Sequence, residues 1–129
     1  MILVDSSVWI DYFNGKITPQ TDLLDNLLDS DPVLTGDVIL AEVLQGFHEE
    51  KDFQKAKVML SRLPYVDMIG KELAILSAGN YRLLRKKGVT VRKTIDVIIA
   101  TFCVHHGFSL LHDNRDFDPM TRYLGLETV

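Results

Sequence analysis

Residues 94–118 read TIDVIIATFCVHHGFSLLHDNRDFD. Thr94 to His106 is apolar on almost every side, which predicts a buried helix with Thr94 as its cap and Gly107 as its stop. Phe108 to Leu111 follows at once as a short apolar strand. A helix that leads directly into a buried strand is half of a repeating α/β unit, the pattern of a parallel sheet covered on both faces. Asp96 is the only charge between Thr94 and Val104, and the acidic group His112-Asp113-Asn114-Arg115-Asp116 begins where the strand ends.

The same arrangement recurs upstream. Met1-Ile2-Leu3-Val4 predicts a core strand that ends at Asp5, and Val8 to Phe13 predicts a short helix stopped by Asn14-Gly15. Thr18-Pro19 opens a second helix that runs to about Asp29. Val33 to Thr35 predicts a strand, and Gly36-Asp37 turns it into a helix, with Asp37 as N-cap. Glu42 is the only charge in that helix between Val38 and Phe47. An amphipathic helix from His48 to Arg62, a brief strand from Tyr65 to Met68 and a long helix from Gly70 to Lys87 complete the series. Leu126 to Val129 predicts a last edge strand. With no repeat, linker or low-complexity tract, residues 1–129 read as one α/β domain.

Composition narrows the function classes. No apolar run approaches the roughly 18 residues of a membrane span, and no basic segment precedes MILV, so the N-terminus reads as a strand and not as a signal peptide. Cys103 is the single cysteine; no intrachain disulfide is possible, which fits a reducing cytoplasm. The apolar helix around Cys103 predicts a small buried hydrophobe. A formal net charge of −4 argues against broad electrostatic binding of nucleic acid. Yet six of the 14 Lys and Arg residues (Arg82, Arg85, Lys86, Lys87, Arg92 and Lys93) lie together with no acid among them. Such a patch is either a solvated helix end complementing the helix dipole or a binder of phosphate backbone.

Burying a lone carboxylate is costly unless it is paired, protonated or bound to a cation. In a parallel sheet, ligands bind beyond the carboxyl ends of the strands. Asp5, Glu42, Asp96 and the Asp113–Asp116 group all fall at that edge. Their simplest joint stabiliser is a hard divalent cation with oxygen ligands, Mg²⁺ or Mn²⁺. No His and Cys set has zinc spacing, since His105 and His106 point apart on one helix. Each acid alone also fits a helix cap or a partner of a buried Arg, and spacing does not choose between these readings.

At these residues the chain resembles the PIN-domain ribonucleases, specifically the VapC-type toxins of toxin–antitoxin pairs. The resemblance spans almost the whole chain and rests on VDSSVWIDYF, on DVILAEVLQGF and on the 94–118 segment. It implies a three-layer α/β/α sandwich with a central, mainly parallel sheet of four to five strands, and a Mg²⁺-dependent endoribonuclease site. Asp5 and Asp96 match the family's direct metal ligands, and Glu42 matches the acid that acts through water. Ser6 or Ser7 matches the hydroxyl residue beside the first acid. The fourth position departs from the pattern: Asn114 stands where relatives often carry an acid. Asp116 is then the first choice for the remaining catalytic and metal-binding carboxylate, with Asp113 as substitute. The resemblance also implies an RNA substrate, a cognate antitoxin covering the site, and a homodimer, with DNA reached only through the antitoxin. Trp9, Tyr12, Phe13, Phe47 and Phe53 are candidates for the antitoxin's apolar groove, with core packing as the competing reading.

Three other readings stand beside this one. The first is a PIN nuclease that processes RNA without being a toxin. The second is a receiver-like signalling domain, which also keeps Mg²⁺ at strand ends. That domain needs a phosphoacceptor Asp at the end of its third strand and paired acids after the first, whereas Asp5 is followed by Ser6-Ser7. The third is a non-catalytic binding module.

Overall fold

The computed structural model describes residues 1–129. Its strands are β1 (Ile2–Val4), β2 (Val33–Gly36), β3 (Tyr65–Val66) and β4 (Ser109–Leu111). Its α-helices are α1 (Ser6–Phe13), α2 (Pro19–Ser30), α3 (Asp37–Leu44), α4 (Glu50–Leu60), α5 (Lys71–Lys86), α6 (Thr94–His106) and α7 (Asp118–Leu124). A 3-10 turn over Arg115–Phe117 joins β4 to α7. The strands form one sheet in the order β3-β2-β1-β4, with every pair parallel. Leu3 sits opposite Leu34 on one side and Leu110 on the other.

This order fixes the layers. The chain steps from β1 to β2 to β3 in one direction, then returns across the sheet to β4. Right-handed crossovers therefore place α1–α4 on one face and α5 and α6 on the other. The helix contacts agree: α1 packs on α2 and α3, and α5 packs on α6 and α7. The result is the expected α/β/α sandwich. Leu3, Val4, Leu110 and Leu111 are buried in the middle layer, and α6 contributes Val97, Ile99, Ala100, Phe102 and Cys103 to the same core. Burial pushes the Cys103 thiol up to about 12, so it behaves as the inert hydrophobe its setting predicts.

Two glycines shape the elements that carry the acids. Gly107 ends α6 in the left-handed region at φ 69°, which lets the chain turn straight into β4. Gly36 ends β2, and a Cβ there would collide with the Met68 side chain and lie 2.9 Å from the Val66 carbonyl. That close approach sets α3 against the segment after β3.

Several local expectations are corrected. Asp37 is not the N-cap of α3; Gly36 is. Asp37 Oδ1 instead accepts from the Val38 and Met68 backbone N–H groups at 2.9 and 2.8 Å, tying α3 to the chain beyond β3. Thr94 is the first residue of α6, and Lys93 holds the cap position without a side-chain bond. Asp96, in the first turn, supplies the negative charge that this helix end favours. The strand expected at Tyr65–Met68 stops at Val66. The edge strand expected at Leu126–Val129 is a single parallel bridge between Leu110 and Thr128.

Candidate active site

Beyond β1 and β4 the connections diverge to opposite faces of the sheet, which opens a crevice at the strands' carboxyl edge. Asp5 ends β1 and caps α1. Its backbone N–H donates to the Leu111 carbonyl at 2.9 Å, which fixes it to the end of β4. Its Oδ2 accepts from the Ser7 backbone N–H at 3.1 Å and from the Ser7 hydroxyl at 2.6 Å. Ser7 Oγ in turn accepts from the Asp113 N–H at 3.2 Å, clamping the turn after β4 to the start of α1.

Glu42 comes from the second turn of α3, and the Ser6 hydroxyl donates to its Oε1 at 3.0 Å. Asp96 enters from the first turn of α6, which runs antiparallel to the strands and so begins at their carboxyl edge. Asp5 and Asp96 are 2% and 3% exposed, although both are acids.

Asp5, Glu42 and Asp96 line one cavity of about 230 Å³, together with Ser6, Ser7, Ile10, Gln45, Lys93 and Asn114. Burial, then the charges of Asp5 and Glu42, push the Asp96 carboxyl up to about 6, while Lys93 works against the rise. The Glu42 carboxyl is also raised, first by burial and then by Asp5; the Ser6 hydrogen bond and Lys93 oppose this. Mutual repulsion across the cavity is the expected signature of carboxylates gathered for a cation.

The donor set passes a specific test for such an ion. Asp5 Oδ1 is buried and has no hydrogen-bond partner. A buried carboxylate oxygen without a donor, on a residue that lines a polar cavity, suits a hard, oxygen-seeking cation. No three His, Cys, Asp or Glu side chains stand close enough to enclose an ion by themselves. Mg²⁺ tolerates this, because it keeps several waters.

The structure separates the fourth-position candidates. Asn114 lines the cavity. Its Oδ1 accepts from the Asp116 N–H at 3.0 Å, and its Nδ2 points to Asp96 Oδ2 at a long 3.5 Å. The amide carbonyl is thus engaged in capping the 3-10 turn. Asp116 lies outside the cavity lining, near enough to raise Asp96, and faces Arg92 at 3.7 Å. Asp113 is exposed. Burial lowers the His112 imidazole below its ordinary range, and its Nδ1 accepts from the Asn114 N–H at 3.2 Å.

Sequence reasoning did not single out Gln45 or Ile10. Gln45 follows Glu42 by one helical turn, and Ile10 follows Ser6 and Ser7 by one turn. That spacing is the signal that places both at the cavity.

A larger groove, about 840 Å³, lies elsewhere, between the end of α1 and α4. Tyr12, Phe13 and Phe47 line it with Val58, Met59 and Arg62. Of the five aromatic groove candidates, Trp9 is fully buried, so it belongs to the core, and Phe53 does not line this groove. The Phe13 ring stacks on Trp9 and meets Phe47 edge-on, so the groove wall is an extension of the core.

Compared with known families, residues 2–122 match the PIN domain. The chain belongs to the PIN-domain family. Among curated relatives, the VapC ribonuclease Mb1587 of Mycobacterium bovis is 28% identical over 131 residues, covering 100% of this PIN domain and 98% of the relative. Ribonuclease VapC11 of Mycobacterium tuberculosis matches to the same extent. Among solved structures, the VapBC2 complex of Rickettsia felis bound to a promoter DNA fragment has a similar chain at TM-score 0.79 and 19% identity, covering 100% and 98% of the two chains. VapC20 of Mycobacterium tuberculosis, described as a sarcin-ricin loop cleaving toxin, aligns at TM-score 0.69 and 18% identity over 92% and 94%. At these identities the solved structures speak for the fold. No helix of the chain is long and apolar enough to cross a membrane.

Proposed function

We propose that this PIN domain, spanning residues 1–129, is a divalent-metal-dependent endoribonuclease and the toxin of a type II toxin–antitoxin pair acting in the cytoplasm. The observation that carries the reading is the buried, unpartnered Asp5 Oδ1 in a cavity shared with Asp96 and Glu42. The ribonuclease names of the curated relatives support the chemistry, and the VapBC complexes support a protein partner.

Asp5 and Asp96 would hold Mg²⁺, or Mn²⁺ in its place, with Glu42 acting through water and Asp116 completing the acidic set from the rim. When bound, the ion lowers the pKa of a water and offsets charge on the phosphate. Glu42, half-buried and raised first by that burial and then by Asp5, is suited to take the proton of the attacking water. The water oxygen bonds to phosphorus in line as the bond to the 3′ oxygen breaks; the departing oxygen takes a proton from solvent, leaving a 3′-hydroxyl and a 5′-phosphate. Ser6 and Ser7 hold Glu42 and Asp5 in place. The exposed Arg82, Arg85, Lys86, Lys87 and Arg92 guide the RNA backbone toward the cavity.

The aromatic groove of Tyr12, Phe13 and Phe47 takes an apolar antitoxin segment, and the exposed Ile75, Leu76 and Leu83 of α5 serve a homodimer contact. DNA is reached through the antitoxin, since the net charge of the chain is −4. The test is to map RNA ends after incubation of single-stranded RNA with purified protein and Mg²⁺. The reading expects 5′-phosphate ends that chelation abolishes. Cyclic phosphate ends, or cleavage indifferent to chelator, would refute it.

A further inference from the structure

The basic residues from Arg82 to Lys93 form one patch in sequence, and the fold divides them. Arg82, Arg85, Lys86 and Lys87 are exposed on α5 and its end, with the Arg85 guanidinium 6.0 Å from the centre of the Tyr81 ring. Arg92 faces Asp116. Lys93 alone of the six lines the cavity of Asp5, Glu42 and Asp96. Its backbone is fixed there: it is the extended residue before α6, and its carbonyl accepts from the Asp96 N–H at 3.1 Å. Its side chain is not pinned. The contacts between basic and acidic side chains within 4.0 Å are Arg92–Asp116 and His105–Glu72, so Lys93 lines the acidic cavity and lowers the Asp96 and Glu42 carboxyls without its ammonium closing on either. A strongly hydrated point charge on a four-carbon stem can serve several anionic partners in turn.

We propose that Lys93 is the built-in counter-ion of the cavity: its ammonium balances Asp5, Glu42 and Asp96 in the metal-free protein, yields to an incoming divalent cation, and then takes a non-bridging oxygen of the substrate phosphate. The proposal rests on reading the cavity as a metal-dependent nuclease centre. It assigns Lys93 to the site itself, whereas the other basic residues serve the approach of the backbone. Its consequence is a split in sign. Removing the ammonium helps the metal and harms the reaction, which loss of a general RNA-binding residue would not do.

Mg²⁺ is titrated calorimetrically at low salt into the metal-free wild type, Lys93→Met and Lys93→Arg, and kcat and KM are measured on a single-stranded RNA. Lys93→Met is expected to bind Mg²⁺ roughly two- to tenfold more tightly, with the gap closing as salt rises, and to lose kcat. Lys93→Arg keeps the positive charge and is expected to bind Mg²⁺ as the wild type does; tightening to the Lys93→Met level would overturn the counter-ion role. Lys93 is exposed, so folding is not at stake in either variant. Equal or weaker Mg²⁺ binding by Lys93→Met overturns the counter-ion role, and an unchanged kcat overturns the phosphate contact. Wild type that binds no Mg²⁺ at millimolar concentration overturns the nuclease reading beneath both.

Discussion

The Ser6 hydroxyl donates to Glu42 Oε1 at 3.0 Å, joining residues 36 positions apart in the chain. One serine thereby fixes the only acid that α3 brings to the cavity. Ser6→Ala is expected to cost about 1 kcal/mol of stability and to raise the Glu42 carboxyl further, since that bond holds it down. The acidic limb of the pH–rate profile should move to higher pH in the variant. A profile measured on RNA cleavage checks this.

Asp96 links the site to stability. Its carboxyl is raised from 3.8 to about 6 in the folded chain. Between those values the folded form keeps a proton that the unfolded form has released. Stability of the metal-free protein therefore falls as pH rises through this window, and the penalty is fully present above it. Asp96→Asn should remove that component and raise the midpoint of thermal unfolding at neutral pH. Melting curves from pH 4 to 8, without divalent ions, test the sign.

Asp116 and Asp113 should differ. Asp116 is felt by Asp96 and faces Arg92, whereas Asp113 is exposed and engages Ser7 through its backbone. Asp116→Asn is expected to lower turnover by about tenfold, as the loss of an outer-sphere partner does. Asp113→Asn should stay near the wild type. Steady-state rates on one RNA separate them.

The aromatic groove can be uncoupled from the chemistry. Phe47 lines the groove and not the cavity. Phe47→Asp should retain RNA cleavage and resist silencing by the antitoxin. Co-expression with the partner, read as growth and as RNA integrity, gives the outcome.

The acids were legible in the sequence because each interrupts an apolar run. The burial of Asp5 and Asp96 follows from those runs, and the parallel order of the strands brings both to one edge. Relationships set by distant segments were not legible. Asp37 resembles a cap in isolation, and only the arrival of Met68 beside β2 gives its carboxylate a different partner. Trp9 sits in the same short helix as Tyr12 and Phe13, yet its face turns inward. The division of the basic patch was equally hidden. Arg92 and Lys93 are adjacent, but one meets Asp116 and the other the cavity, because α6 begins between them and Asp96.

The central claim is that Asp5 and Asp96 form a metal-dependent cleavage centre. Its most direct test is RNA cleavage by purified Asp96→Asn in Mg²⁺, beside a circular dichroism spectrum of the same sample. The expected result is a folded protein whose activity falls by more than the roughly 10–100-fold typical of outer-sphere losses. A folded Asp96→Asn protein that cleaves RNA at the wild-type rate in Mg²⁺ would contradict the account.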